Sequence, residues 1–153
     1  MSLGGSFGEG VPVASIGSLV SGLFFGIGWD IWIDGCAWSA YHDGEDVNGA
    51  YWVPGLLQTL ALIMVNVLNW GMLSEDGGFG DESSVALAKC WVFVAFVVAF
   101  SGIIGAVWIL INESNDPETE SLWPAVAGLL QNVFIFLASL IFRVARMRSD
   151  SAF

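Results

Sequence analysis

Residues 14–34 read ASIGSLVSGLFFGIGWDIWID, an apolar run long enough to cross a bilayer, with small residues at every fourth position and carboxylates at its far end. A run of this length predicts a transmembrane helix, because in hydrocarbon every backbone N–H and C=O must be paired within the segment. Ala14, Ser18, Gly22 and Gly26 follow one another at i+4, a stripe that drifts about 40° round the helix per step. Helices in lipid are not pushed together by a hydrophobic force, so they associate where small residues let backbones approach. The stripe is therefore the expected helix-packing or partner-binding face. The same spacing leads on to Asp30 and Asp34, beside Trp29 and Trp32. Tryptophans collect at the membrane surface, which places both acids near the interface.

Composition points the same way. Of 153 residues, 56% are hydrophobic and only 12% charged, and the mean hydropathy is +0.72, too apolar for a soluble domain of this size. The formal net charge of -11 excludes nucleic acid as a partner, since four Lys and Arg cannot build the basic surface a polyphosphate requires. Cys36 and Cys90 do not make a disulfide framework, and a four-span topology puts them on opposite membrane faces. The opening MSLGGSFGEGVPV has no basic region and no Gly at position 2, which predicts an uncleaved signal anchor in the first span and no myristoylation.

Working outward along the chain, residues 1–12 are expected to form a flexible tail, and residues 13–148 a single four-span membrane domain followed by a short tail at 149–153. The spans are predicted at about 13–33, 52–73, 85–111 and 122–144. Pro54 suits the first turn of the second helix, and Trp123 with Pro124 introduces the fourth. The loops between them are acidic: GCAWSAYHDGEDVNGAYW, SEDGGFGDESS and NESNDPETES. Arg143, Arg146 and Arg148 cluster at the end of the last span as a basic anchor, and Lys89 falls on the same side. Cations stay cytosolic, so both termini are predicted to face the cytosol. Asn112-Glu113-Ser114 is then a sequon on the other side, too close to the membrane to be used. The segment from Trp52 to Gln58 echoes that from Trp123 to Gln131, which suggests two tandem helical hairpins.

Candidate sites are few. His42, Asp43, Glu45 and Asp46 offer one imidazole and three carboxylates, but one histidine makes no zinc site and Pro54 stands where a calcium loop needs its bidentate acid. A solvated acidic loop is the expectation, with no metal, no cofactor and no catalytic residue. Cys90 beside Lys89 suits palmitoylation, although a small buried hydrophobe is the expected role. The intramembrane polar residues are more informative: Gln58, Asn66 and Asn69 in the second span, Gln131 and Asn132 in the fourth, with Asp30 and Asp34. Hydrogen bonds between helices are their expected use; an ion or proton path lined by Asp30 and the amides is the rival.

A set of residues in all four spans resembles a known family. Gly28-Trp29 with Ile31, Ile33 and Asp34 match in the first span, and Met64, Asn66 and Gly71 in the second. Trp91-Val-Phe-Val, Ala99-Phe100 and Trp108-Ile-Leu110 match in the third, and Pro124 with Gln131-Asn132-Val-Phe-Ile-Phe136 in the fourth. Asp30 departs from the pattern. The family is the transmembrane protein 50 group, also called uncharacterised protein family 0220 and the vacuolar protein sorting 68 family. The resemblance implies a non-enzymatic protein of endoplasmic reticulum, Golgi, endosomal or vacuolar membranes that serves late endosome to vacuole traffic. It also implies a partner, another small four-span protein resembling vacuolar protein sorting 55. A structural accessory subunit of a larger membrane complex and a small transporter are the alternatives.

Overall fold

The computed structural model describes residues 13–44, 46–68 and 82–150. Helix α1, Val13–Trp38, runs on into a π-helical turn, Ser39–Asp43, and a 3-10 turn, Gly49–Trp52, leads into α2, Val53–Val67. Helices α3, Glu82–Asn115, and α4, Trp123–Asp150, complete an all-helical chain among the described residues. Counting the 3-10 turn with α2, as Gly49–Val67, all four are long and apolar enough to cross a membrane.

The helices do not stop where the hydropathy does. Hydropathy marks the edge of the lipid, whereas a helix continues until its backbone has reason to turn. The π-helical turn after α1 ends at Gly44, whose φ of 70° is the left-handed conformation that glycine adopts without cost. α3 runs to Asn115, just short of the Asp116-Pro117 pair, where proline disfavours helical geometry in the residue before it. At the start of the 3-10 turn, Asn48 Oδ1 accepts from the Ala50 N–H at 3.0 Å, and Pro54 occupies the first turn of α2, where its missing N–H costs nothing. α2 gives way to extended backbone at Leu68; the remainder of the predicted second span lies outside the described residues.

α4 is the helix on which the others converge. α1 lies along it for most of its length, antiparallel, while α2 and α3 pair with each other and each also touches α4. The small residues explain the closeness. A Cβ added to Gly35 would sit 2.7 Å from the Cβ of Ala127, one on Gly28 would sit 3.2 Å from the carbonyl oxygen of Gln131, and one on Gly17 would overlap Ala145. Midway, the Ser21 hydroxyl donates to the Ala138 carbonyl at 2.8 Å. The α2–α3 pair is antiparallel and tight in the same way. A Cβ on Gly102 would lie 3.0 Å from the Pro54 carbonyl oxygen, and the Trp91 indole N–H donates to the Met64 carbonyl at 2.8 Å.

Three expectations change here. The buried face of α1 carries Gly17, Ser21, Gly28, Trp32 and Gly35, and not the i+4 stripe. Ser21, Gly28 and Gly35 recur every seven residues, a period that drifts only about 20° per step, so they stay against α4 along the helix. Ala14, Ser18, Gly22 and Gly26 rotate away from it. Ser18 is exposed, and neither Gly22 nor Gly26 has an atom within 4 Å of where a Cβ would stand. The tandem-hairpin expectation also gives way, because α1 packs on α4 and not on α2. Trp32, expected at the membrane surface, is 1% exposed and meets Trp52 edge-on at 5.5 Å between ring centroids.

Substitution separates the two faces of α1. Gly35→Ala should lower the melting temperature of the purified protein by overpacking the α1–α4 contact, at a cost of about 1–3 kcal/mol. Gly17→Ala should do the same, whereas Gly22→Ala should leave melting unchanged. Equal melting of all three would place α1 wrongly against α4.

Candidate functional site

Two polar regions stand out in an otherwise apolar bundle. The first is a layer of amides where α2, α3 and α4 meet. Gln58 from α2 and Gln131 and Asn132 from α4 are at most 1% exposed. Glycines make room for them: Gln131 lies over Gly55, and a Cβ on Gly102 would stand 3.0 Å from the Asn132 side-chain oxygen. The Asn132 amide donates to the Gly128 carbonyl at 2.8 Å within its own helix. Its Oδ1, both polar atoms of Gln131 and the Nε2 of Gln58 have no hydrogen-bond partner among the described residues. Leaving such a group buried and unpaired costs about 1–3 kcal/mol. Among the described residues Gln58, Gln131 and Asn132 thus make no hydrogen bond between helices, and other side chains tie the helices together.

Those ties were not legible as sites. Besides Ser21 and Trp91, the Trp123 indole donates to Asp34 Oδ2 at 2.8 Å, joining the start of α4 to α1. Asp34 is therefore a hydrogen-bond acceptor at the bundle end. Tyr51 donates to Glu113 Oε1, and the other oxygen of the same carboxylate accepts from the Thr119 hydroxyl at 3.1 Å. The clue available in the sequence was the placement of Tyr and Trp at span ends, where one edge is apolar and the other polar.

Glu113 belongs to the second region, a mouth of about 360 Å³ formed by the two connections at the end of the bundle opposite the arginines. Asp43, Asp46, Glu113, Asp116, Glu118 and Glu120 line it. Such a rim attracts cations and repels anions. His42 does not join it, lying flat on Trp38 at 3.8 Å between centroids, and Glu45 is outside the described residues. No three His, Cys, Asp or Glu side chains among the described residues are grouped to hold a metal ion.

The remaining candidates do not assemble into one site. Asp30 is exposed on the outside of α1 and Asn66 is half-buried toward the end of α2, apart from the buried amides; Asn69 is outside the described residues. Cys90, expected to be buried, is an exposed free thiol, and Cys36 is free and half-buried. Asn112 lies within the last turns of α3, next to Glu113. Arg146 and Arg148 are exposed at the end of α4, with Arg146 5.8 Å from the Phe142 ring centroid, but Arg143 is half-buried and faces α2 and α3.

Comparison with known proteins places these features. The pattern of an uncharacterised protein family, UPF0220, matches residues 7–151. The chain is 29% identical over 143 residues to the transmembrane protein 50 homolog of Dictyostelium discoideum, covering 88% of this chain and 91% of that one. It is 30% identical over 151 residues to the vacuolar protein sorting-associated protein 68 of Saccharomyces cerevisiae, covering 88% and 82%. A UPF0220 protein of Schizosaccharomyces pombe is 25% identical over 146 residues, covering 92% and 86%. No solved structure matches the chain.

The clamp on Glu113 can be tested directly. Tyr51→Phe removes the bond between the 3-10 turn and α3, and hydrogen exchange of residues 46–53 should accelerate by about tenfold, the worth of one hydrogen bond to a charged group at a half-exposed site. Unchanged exchange would mean that the mouth is held by its backbone alone.

Proposed function

The chain belongs to the uncharacterised protein family UPF0220, and from that premise we propose that it is a non-catalytic multi-pass membrane protein assisting protein sorting in the endomembrane system, between late endosome and vacuole or lysosome. The observation that carries this reading is the likeness, over most of both chains, to a yeast protein named for vacuolar protein sorting. Its reading as a non-enzyme rests on the same names, which are those of transmembrane and sorting proteins.

The mechanism proposed is helix–helix contact. The bundle leaves one small-residue face unused: Ser18, Gly22 and Gly26 point away from α4, with open space beside both glycines. A second helix could approach there as closely as α4 does on the other side. The partner proposed is another small four-span membrane protein resembling vacuolar protein sorting 55. Membership in a larger membrane complex as a structural subunit is the alternative, and the two differ in the size of the assembly extracted by gentle detergent. Both termini face the cytosol in this reading, which rests on the rule that cations at span ends stay cytosolic and on Arg146 and Arg148 at the end of α4.

Gly22→Leu and Gly26→Leu should leave melting of the isolated protein unchanged while reducing co-purification of its four-span partner at least tenfold, since bulk on that face separates the backbones. Retention of the partner by both variants would remove α1 from the interface. Tags at both termini should be cleaved by protease added to intact vesicles; a protected tag would overturn the orientation.

A further inference from the structure

A second cavity lies between α2, α3 and α4, of about 180 Å³, on the arginine side of the amide layer. Its walls follow the helices in register. Gln58, Ala99 and Phe136 mark one end, Val65, Val92 and Arg143 the other, and each helix contributes two turns, about 10 Å of length. Between the ends the walls are apolar, Ala61, Ala95 and Leu140 among them, except for Ser139 on α4. Spread over that length, the volume suits one hydrocarbon chain. Phe96 on α3 and Leu140 on α4 line the cavity and are also exposed, 40% and 39%, so it opens sideways toward lipid. Toward the amide layer this opening is closed by the Phe100 and Phe136 rings, 6.1 Å apart.

The two ends have distinct chemistry. At the inner end Gln58 is 1% exposed, and its Nε2 has no acceptor among the described residues. At the outer end stands Arg143, which has a partner within the chain; a guanidinium with five N–H donors still offers charge and further donors. A plain hydrocarbon tail would satisfy the walls and leave Gln58 unpaired. Water alone would suit Gln58 and be poorly held by the walls. We propose that this cavity binds a single acyl chain that carries an anionic head beside Arg143 and, about 10 Å along, a hydroxyl or carbonyl oxygen that accepts from Gln58. The ligand class is an oxygenated long-chain fatty acid or the same chain on an anionic phospholipid.

The test uses the full chain in nanodiscs of phosphatidylcholine. The probe is a diazirine-bearing fatty acid with a mid-chain hydroxyl, and labelling is read by peptide mapping. Labelling should fall on residues 92–99 and 136–143 and be displaced by the unlabelled hydroxy acid. The plain acid of equal length should compete about tenfold more weakly, the worth of one buried hydrogen bond. Gln58→Leu should abolish this difference by strengthening the plain acid, and Arg143→Gln should weaken both. Ser139→Leu and Ala61→Leu should block the bore, with melting curves showing which of them is folded. Competition by the free acid alone, or only by phosphatidic acid carrying the hydroxylated chain, identifies the source of the chain, and either supports the site. Absence of displaceable labelling in those segments would overturn the proposal, as would equal competition by plain and hydroxylated acids together with indifference to Gln58→Leu.

Discussion

Everything in this bundle depends on how closely α1 can lie against α4. Lipid tails are as apolar as leucine, so two helices gain nothing from hiding apolar surface from them and must gain from contact itself. Gly17, Gly28 and Gly35 strip α1 of side chains where Ala145, Gln131 and Ala127 rise to meet it, and the Ser21 hydroxyl reaches the Ala138 carbonyl through the gap. That contact fixes one face of α4. Its other faces then hold Asn132 against Gly102 of α3 and Gln131 against Gly55 of α2. Glycine opposite a bulkier partner is the rule at each seam, and the amides sit where the seams meet.

Much of this was legible. Four apolar runs, Trp-Pro helix starts and arginines at one end fix an all-α membrane fold because backbone hydrogen bonding in lipid leaves few choices. The packing face of α1 was misread for a geometric reason. Small residues occur on two sides of that helix, and a spacing of four is the easier to see, whereas a spacing of seven is the one that keeps facing a straight neighbour. Ser21, Gly28 and Gly35 carried the better signal all along. The amides were recognised as important, but their partners could not be read from sequence, because whether Gln58 faces another amide, a backbone carbonyl or a cavity depends on helix rotations of a few tens of degrees. Tyr51 and Glu113 are 62 residues apart in the chain, and only the fold brings them together.

The distribution of polar groups also separates the two ends. At one, carboxylates surround an open mouth and are held by Tyr51, Thr119 and the backbone; Asp116 Oδ1, for instance, accepts from the Glu118 N–H at 3.0 Å. At the other, arginines border an apolar bore. The chain thus presents water-facing acids at one end and an apolar slot between α2, α3 and α4 toward the other.

The pairing of the first helix with the last bears on how the protein is made. Ser21 and Ala138 are 117 residues apart, and at about 5–20 residues per second the ribosome needs on the order of ten seconds to deliver the second after the first. Through that interval α1 has left the ribosome with its glycine face bare, and α2 and α3 can pair without it. The seam on which the bundle depends is therefore the last to close. During synthesis that face is open to any helix that fits, including those of the insertion machinery, and a chain interrupted before α4 would present it permanently. The small-residue face of the first helix thus stays unpaired until the last helix is made.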